Sequence, residues 1–152
     1  AVAGPVVGSS TARAGIGRKM SVAERQTAPQ RVLIVDDDVD LAQSLARMIQ
    51  AAGTYETRMV HSAADALAVA VEFPPAIVFL DIELPDMSGY EVATLLHQHA
   101  HMQATRLIAL TDNIEHPGRE DARAAGFERY LVKPVTAIEL RKVLRRRLSM
   151  VR

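Results

Sequence analysis

Three aspartates stand where two apolar runs of the sequence end. Asp36 and Asp37 follow the run 31–35, and Asp81 follows the run 76–80. Each run has the length and apolar character of a short, fully buried strand. If the two strands are neighbours, three carboxylates meet at one edge of the sheet, and their mutual repulsion favours a bound divalent cation. We expect Mg²⁺, because it prefers oxygen ligands and keeps several of its waters.

Two more polar residues end later apolar runs of the chain. Thr111 follows 106–110, and Lys133 follows 129–132. A metal held by carboxylates, an ammonium group and a hydroxyl are what phosphoryl transfer onto a carboxylate needs, since the site mainly positions and neutralises charge. The attacked oxygen would then belong to Asp81. No G-x-x-x-x-G-K-[ST] segment is present, so ATP is not the expected direct donor.

Strand and helix patterns alternate from residue 31 onward. We predict strands at 31–35, 55–60, 76–80, 106–110 and 129–132, and helices at about 39–51, 63–72, 89–99, 117–126 and 136–149. Five units of this kind predict an α/β domain with one parallel sheet and helices on both faces. Reactive groups in such folds lie beyond the carboxyl ends of the strands, where the polar residues named above would gather.

Composition narrows the class of protein. The 152 residues are 49% hydrophobic, and 18 Lys and Arg balance 18 Asp and Glu, so the whole chain does not favour a polyanionic partner. The absence of cysteine excludes disulfides and thiolate metal sites and suits a cytoplasmic protein. No apolar run approaches the roughly 20 residues of a membrane span. Residues 1–29 are rich in small residues and arginine, and we interpret them as a flexible tail or linker.

Four stretches resemble the receiver domain of two-component response regulators. They are Val32–Asp38, Phe79–Glu91, Ile108–Thr111 and Tyr130–Pro134, in this order along the chain. The resemblance implies a receiver domain over residues 30–150. It also implies a flavodoxin-like (βα)5 fold, in which a doubly wound, five-stranded parallel sheet has the strand order 2-1-3-4-5.

The same resemblance implies a role for each site residue. Asp81 would be the phosphoacceptor, and Lys133 would bind the phosphoryl group. The ligands of Mg²⁺ would be Asp36, Asp37, Asp81 and the backbone carbonyl of Glu83. Thr111 and Tyr130 would form the switch, and the peptide bond between Lys133 and Pro134 would be cis.

The implied function is a signalling switch and not a metabolic enzyme. The phosphoryl donor would be a phosphohistidine on a sensor histidine kinase or a histidine phosphotransfer protein. Phosphorylation would draw Thr111 toward the new oxygens and let the Tyr130 ring turn, which shifts the population of partner-binding states. Partners would dock on the face formed by the predicted fourth helix, fifth strand and fifth helix. A homodimer could form through the same face. We expect no direct contact with nucleic acid, although the last helix is basic.

One residue departs from the family pattern. The residue after Thr111 is usually small, and here it is Asp112, which is bulkier and anionic. We therefore expect slow phosphorylation by small anionic donors. The resemblance also implies that Glu83 and Asn113 occupy positions that tune the lifetime of the phosphoryl group in the family.

Two alternatives remain open from the sequence. A phosphatase of the haloacid dehalogenase type would use the D-x-D pattern within 36–38, but its motif wants Thr or Val where Asp40 stands. The second alternative is a receiver-shaped scaffold that binds partners without phosphorylation. The anionic side chain of Asp112 favours this alternative. His97 and His101 could share a helical face that binds a transition metal, although a helix end also favours cationic side chains.

Overall fold

The computed structural model describes residues 28–112 and 123–145 of the chain. Its strands are β1 (Gln30–Val35), β2 (Tyr55–Val60), β3 (Ile77–Asp81), β4 (Arg106–Thr111) and β5 (Phe127–Val132). Its α-helices are α1 (Val39–Ala52), α2 (Ala63–Glu72), α3 (Gly89–Gln98) and α4 (Ala137–Arg145). A single 3₁₀ turn, Ala100–Met102, follows α3.

All five strands are parallel and form one sheet in the order β2-β1-β3-β4-β5. This confirms the predicted fold class and strand order. The order reverses between β1 and β3, so the chain leaves β1 toward one edge of the sheet and later returns to its centre. Ligand sites of open α/β sheets lie at this switch point, beyond the carboxyl ends of the strands.

The core lies on both faces of the sheet, because successive side chains of a strand point to opposite sides. On one face, Leu33 and Val35 of β1 pack with the small buried residues of α2 and with α3. On the other face, Val32 and Ile34 pack with α1 and α4. Strand β3 is buried along its whole length, which is why its first four residues form a continuous apolar run.

Helix starts follow the capping chemistry of the sequence. The side chain of Asp38 accepts from the Leu41 amide at the start of α1, Ser62 accepts from the Asp65 amide in α2, and Ser88 accepts from the Tyr90 amide in α3. Each cap satisfies an amide that has no partner within its own helix. The caps place the helix starts directly after the loops that leave β1, β2 and β3.

Most predicted boundaries hold to within one residue, and the differences are informative. Strand β3 includes Asp81, and β4 includes Thr111, because the ladder continues one residue beyond each apolar run. Strand β5 begins at Phe127, two residues earlier than predicted, where a register shift lies opposite Leu107 and Ile108. Most of the predicted helix 117–126, the tail 1–29 up to residue 27 and the end of the last helix fall outside the described residues.

Two contacts support the amino-terminal ends of β4 and β5. The guanidinium of Arg106 donates to both carboxylate oxygens of Glu128 and to the carbonyl of Val143 in α4. Gly126 has φ +102° and lies against the ring of His97, where a Cβ atom would meet the ring at 2.4 Å. Only glycine fits there without strain. Within the described residues, every helix is too short or too polar to cross a membrane.

Candidate functional site

Asp36 and Asp81 lie side by side at the carboxyl edge of the sheet. Val35 and Leu80 are paired in the ladder between β1 and β3, so the next residue of each strand reaches the same edge. Both aspartates are buried, at 2% and 4% exposure, whereas Asp37 is exposed. Ligand oxygens of the three carboxylates all lie within 4.8 Å of one another. The sequence prediction that these acids meet is therefore correct in its geometry.

Lys133 lies between the two buried aspartates. Its Nζ donates to Asp36 Oδ2 at 3.0 Å and to Asp81 Oδ2 at 3.1 Å. The side chain of Lys133 is 9% exposed, so this cation is held largely out of water. The Lys133–Pro134 peptide bond is cis, and the Lys133 amide donates to the Thr111 carbonyl at 2.7 Å. These contacts fix the start of the loop after β5 against the end of β4.

The other oxygen of each buried aspartate accepts from a backbone amide two residues on. The Asp38 amide donates to Asp36 Oδ1 at 2.9 Å, and the Glu83 amide donates to Asp81 Oδ1 at 2.8 Å. The two carboxylates are thus held in the same way, with one oxygen on a local amide and one on Lys133. Charge-assisted bonds of this kind fix the orientation of a carboxylate more firmly than neutral ones.

Burial dominates the electrostatics of Asp81. It raises the pKa of the Asp81 carboxyl to about 6, with a further rise from the Asp36 charge, against the lowering effects of the Glu83 amide and Lys133. Burial alone would lower the pKa of Lys133, but the hydrogen bond to Asp36 and the charges of both aspartates outweigh it and raise the pKa. Lys133 is therefore protonated at neutral pH, and Asp81 is an acid whose ionisation depends on its neighbours.

The donor chemistry of this edge fits Mg²⁺. Three carboxylates offer hard oxygen ligands close together, and exposed Asp37 leaves one side of the group open to water. Mg²⁺ takes octahedral oxygen coordination and retains waters, so an open acidic group of this size suits it better than a closed cage. A bound divalent cation would also offset the repulsion among the three carboxylates.

Comparison with known protein families decides what kind of domain this is. The family model of the response regulator receiver domain matches residues 32–145, a range that contains the acidic group and Lys133. The chain belongs to the response regulator receiver domain family. The predicted family is therefore confirmed, and the haloacid dehalogenase alternative is wrong.

Two relatives of this receiver domain are described as response regulators. MtrA of Mycobacterium tuberculosis, described as a DNA-binding response regulator, is 33% identical over 123 residues, which cover 80% of this chain and 52% of MtrA. DivK of Brucella anthropi, a polar-differentiation response regulator, is 33% identical over 108 residues, which cover 71% of this chain and 87% of DivK. This chain thus spans about half the length of MtrA.

Solved receiver structures share the fold as well. The chemotaxis response regulator CheY4 of Vibrio cholerae superposes with a TM-score of 0.72 at 26% sequence identity, over 78% of this chain and 98% of that one. The match covers nearly all of that chain, so the similarity extends over the fold and is not confined to a single motif.

The two residues predicted as the switch lie on one face of the receiver sheet. Thr111 is buried at 1% exposure and follows Leu107 and Ala109 on the face covered by α2 and α3. Tyr130 is half-buried, packs against the same core and is paired with Ala109 in the ladder. The Thr111 hydroxyl and the Tyr130 ring therefore belong to adjacent strands.

The three positions predicted to tune phosphorylation differ in what the structure describes. Asp112 is exposed, and its Oδ1 lies 4.0 Å from Lys133 Nζ. The side chain of Glu83 is also exposed, while its amide holds Asp81. Asn113 lies outside the described residues.

The sequence predicts a structural role for His61 and no particular role for Asp86, and it links neither residue to the acidic group. His61 contacts the Asp36 backbone, and Asp86 accepts from two amides at the start of α2. Their residue types carry no distinctive spacing, so only the fold reveals these contacts.

The histidines at the end of α3 have structural partners. His97 Nε2 lies 3.0 Å from the Thr105 carbonyl, and the rings of His99 and His101 pack together at 5.4 Å. Within the described residues, the group of three side chains that could hold a metal ion is the acidic one. The transition-metal alternative therefore finds no support in this geometry.

Proposed function

We propose that this receiver domain accepts a phosphoryl group on Asp81 from a phosphohistidine of a sensor histidine kinase or a histidine phosphotransfer protein. The observation that carries the proposal is the position of Lys133, whose ammonium bridges Asp36 and Asp81 beside the acidic group. A mobile ammonium that already contacts the acceptor oxygen can move to the incoming phosphoryl oxygens and neutralise their charge.

The transfer step balances with groups that the chain and the donor supply. A carboxylate oxygen of Asp81 forms a bond to phosphorus while the phosphorus–nitrogen bond of the donor breaks. The electron pair of that bond returns to the imidazole ring, which leaves without further activation. The Glu83 amide keeps the second oxygen of Asp81 in place, so one oxygen is directed at the donor.

Mg²⁺ would be held by Asp36, Asp37, Asp81 and the backbone carbonyl of Glu83, and when bound it would stabilise charge on the phosphoryl oxygens. Asp36 and Asp81 are already fixed by amides and Lys133, so binding orders few side chains. The low cost of ordering favours a site that forms readily in the unphosphorylated domain.

Thr111 and Tyr130 would convert the modification into a change of surface. Thr111 stands at the end of β4 and Tyr130 packs on the same face, so a shift of the hydroxyl toward the phosphoryl group changes the space beside the ring. Partner docking through this side of the domain, including a second copy, would then follow the population of the shifted state. The domain would act as a switch and turn over no substrate besides its own phosphoryl group.

The test is phosphorylation by acetyl phosphate with and without Mg²⁺, followed by intact mass. We expect a gain of about 80 Da that requires Mg²⁺. Peptide mapping should place the label on Asp81, and Asp81→Asn should remain unlabelled. A folded wild-type protein that gains no mass from acetyl phosphate or from a phosphorylated histidine phosphotransfer protein would support the phosphorylation-independent scaffold instead.

The switch has a separate test in the NMR signals of the Tyr130 ring. Phosphorylation should shift them in the wild type and in Thr111→Ser, which keeps the hydroxyl. The shift should be lost in Thr111→Val, which keeps the shape. Equal shifts in all three proteins would exclude Thr111 as the link between Asp81 and Tyr130.

The prediction that the domain makes no direct contact with nucleic acid stays a prediction. MtrA is described as DNA-binding, and this chain matches about half of it. Arg141, Lys142 and Arg145 are exposed on α4, so a basic surface is present. Retention of labelled duplex DNA by the isolated chain at physiological salt would contradict the prediction.

A further inference from the structure

The β2–α2 turn, defined as residues 61–62 together with the first two helical residues 63–64, contacts both segments that carry the acidic group. We propose that His61 and Asp86 are positioning residues that use this turn to hold the loop after β1 and the loop after β3 at their mutual distance. The inference rests on the proposed function of the acidic group, and it adds the element that supports it from the side opposite Lys133.

The first contact is between His61 and the backbone of Asp36. His61 Nδ1 lies 2.9 Å from the Asp36 carbonyl oxygen, so the ring nitrogen donates. The Asp36 amide in turn donates to the Val60 carbonyl at 3.1 Å. Both polar groups of the Asp36 backbone are thus bound to the end of β2. The main chain of the first acidic residue cannot move without breaking one of these bonds.

The second contact is between Asp86 and the start of α2. Asp86 Oδ1 accepts from the Ala63 amide at 2.9 Å, and Asp86 Oδ2 accepts from the Ala64 amide at 3.1 Å. These amides belong to the first turn of the helix, where a negative charge is favoured. Asp86 therefore ties the tip of the loop after β3 to the same turn that holds Asp36.

The loop after β3 is closed at its base, so it transmits this attachment. Glu83 and Ser88 form an isolated bridge, and the Gly89 amide donates to the Ile82 carbonyl at 3.0 Å. A Cβ atom at Gly89 would lie 2.5 Å from the Asp81 carbonyl oxygen, which shows how closely the two ends of the loop pack. The Glu83 amide then orients Asp81 directly.

The attachment of both loops to the β2–α2 turn counteracts the electrostatic repulsion within the acidic group. Three carboxylates with oxygens within 4.8 Å repel one another, and without a cation this repulsion pushes the two loops apart. Lys133 draws the carboxylates together from the β5 side. The β2–α2 turn fixes the backbones from the β2 side, so the ligand oxygens keep their spacing when no cation is bound.

The test compares variants of each contact with a matched control. Asp86→Ala removes both bonds to α2, and Asp86→Asn keeps one acceptor oxygen. Asp65→Asn removes an acidic charge from the same first turn of α2 without touching the loop. His61→Leu removes the donor, whereas His61→Asn places an amide nitrogen where Nδ1 lies. Calorimetric titration with Mg²⁺ and amide hydrogen exchange of residues 37–38 and 82–84 in the metal-free protein are measured for each, beside the thermal midpoint.

We expect Asp86→Ala and His61→Leu to weaken Mg²⁺ binding roughly three- to tenfold, at or below the range for groups that directly support a metal ligand. Amide hydrogen exchange in the loop that each variant releases should be faster than in the wild type. His61→Asn should recover the wild-type affinity for Mg²⁺, and the affinity of Asp65→Asn should stay within about twofold of the wild type. Wild-type affinity and exchange in Asp86→Ala and His61→Leu would overturn the inference, as would an equal effect of Asp65→Asn. A wild-type protein that binds no Mg²⁺ would overturn the proposed metal site, and the exchange rates would still decide the positioning role.

Discussion

Lys133 and Asp36 are 97 positions apart in the chain, yet Lys133 Nζ lies 3.0 Å from Asp36 Oδ2. Neither side chain is more than 9% exposed. A buried ion pair of this kind is costly to break from one side, because the remaining charge stays buried without its partner. The pair therefore makes the stability of the domain sensitive to the charge state of its functional site.

Replacement of Lys133 by methionine tests this sensitivity. Lys133→Met keeps a long side chain and leaves Asp36 and Asp81 without their cation, so we expect the free energy of unfolding at pH 7 to fall by about 2–4 kcal/mol. The carboxyl pKa of Asp81, already about 6, should rise further. A carboxyl group whose pKa is raised by folding destabilises the folded protein as pH rises through that pKa. The loss of stability caused by Lys133→Met should therefore be smaller at pH 5 than at pH 7. Urea denaturation at pH 5 and pH 7 measures the free energy of unfolding, and Lys142→Met, at an exposed position, is the control. An equal loss of stability at the two pH values would contradict this prediction.

Asp81→Asn should behave in the opposite way in the metal-free protein. The pKa of Asp81 is raised to about 6, so the wild type keeps its full stability below the unfolded pKa and loses part of it as pH rises through 6. Asparagine does not ionise, and the variant should exceed the wild type by about 1–3 kcal/mol at pH 7. The difference should narrow toward pH 4. Thermal denaturation with a chelator measures it, and a difference that is largest at pH 4 would show that burial does not control this carboxyl.

Asp112 should slow phosphorylation by donors in proportion to their negative charge. Its carboxylate lies 4.0 Å from Lys133 Nζ on the exposed side of the site, where we expect an incoming phosphoryl group to approach. Asp112→Asn removes the charge and keeps the size, so we expect the rate with acetyl phosphate at low salt to rise roughly three- to tenfold. Phosphoramidate, which carries less negative charge at neutral pH, should gain less.

The control for Asp112 is Asp40→Asn, which removes an exposed acid from the first turn of α1. Its rate should change less than that of Asp112→Asn, and salt should reduce both effects. If Asp112→Ala accelerates the reaction while Asp112→Asn does not, the size of the side chain and not its charge restricts the donor.

Gly89→Ala should damage the site more than the fold. A Cβ atom at Gly89 would lie 2.5 Å from the backbone of both Asp81 and Ile82, so the loop after β3 has to shift. We expect a stability loss of about 1–3 kcal/mol and a slower phosphorylation of Asp81 that the loss of folded protein does not explain. Gly53→Ala is the control, because its Cβ would meet only the movable ring of Tyr55 at 3.1 Å. Equal phosphorylation rates for the two folded variants would contradict the prediction.

The sequence predicts the fold well because its signals are local. A buried strand such as β3 has a continuous apolar run that ends at Asp81, and Ser62, a residue type that favours the N-cap position, marks the start of α2. The predicted start of β5 was wrong by two residues. The register shift beside Leu107 arises from the pairing of two strands, so the sequence of one strand alone does not reveal it.

The acids and Lys133 could be placed for the same reason, since each lies at the carboxyl end of a strand. The contacts of His61 and Asp86 could not, because they join loops that meet only after the sheet has formed. Nothing in the sequence around either residue specifies its distant partner. Positioning contacts of this kind become visible only in the folded domain.

Arg106 has a consequence for motion in the domain. One guanidinium binds Glu128 of β5 and the Val143 carbonyl of α4 while its own backbone belongs to β4. These three elements cannot slide past one another until its bonds break. Displacement of any one of the three at the amino-terminal end of β4 therefore has to break the Arg106 bonds or carry the other two elements with it.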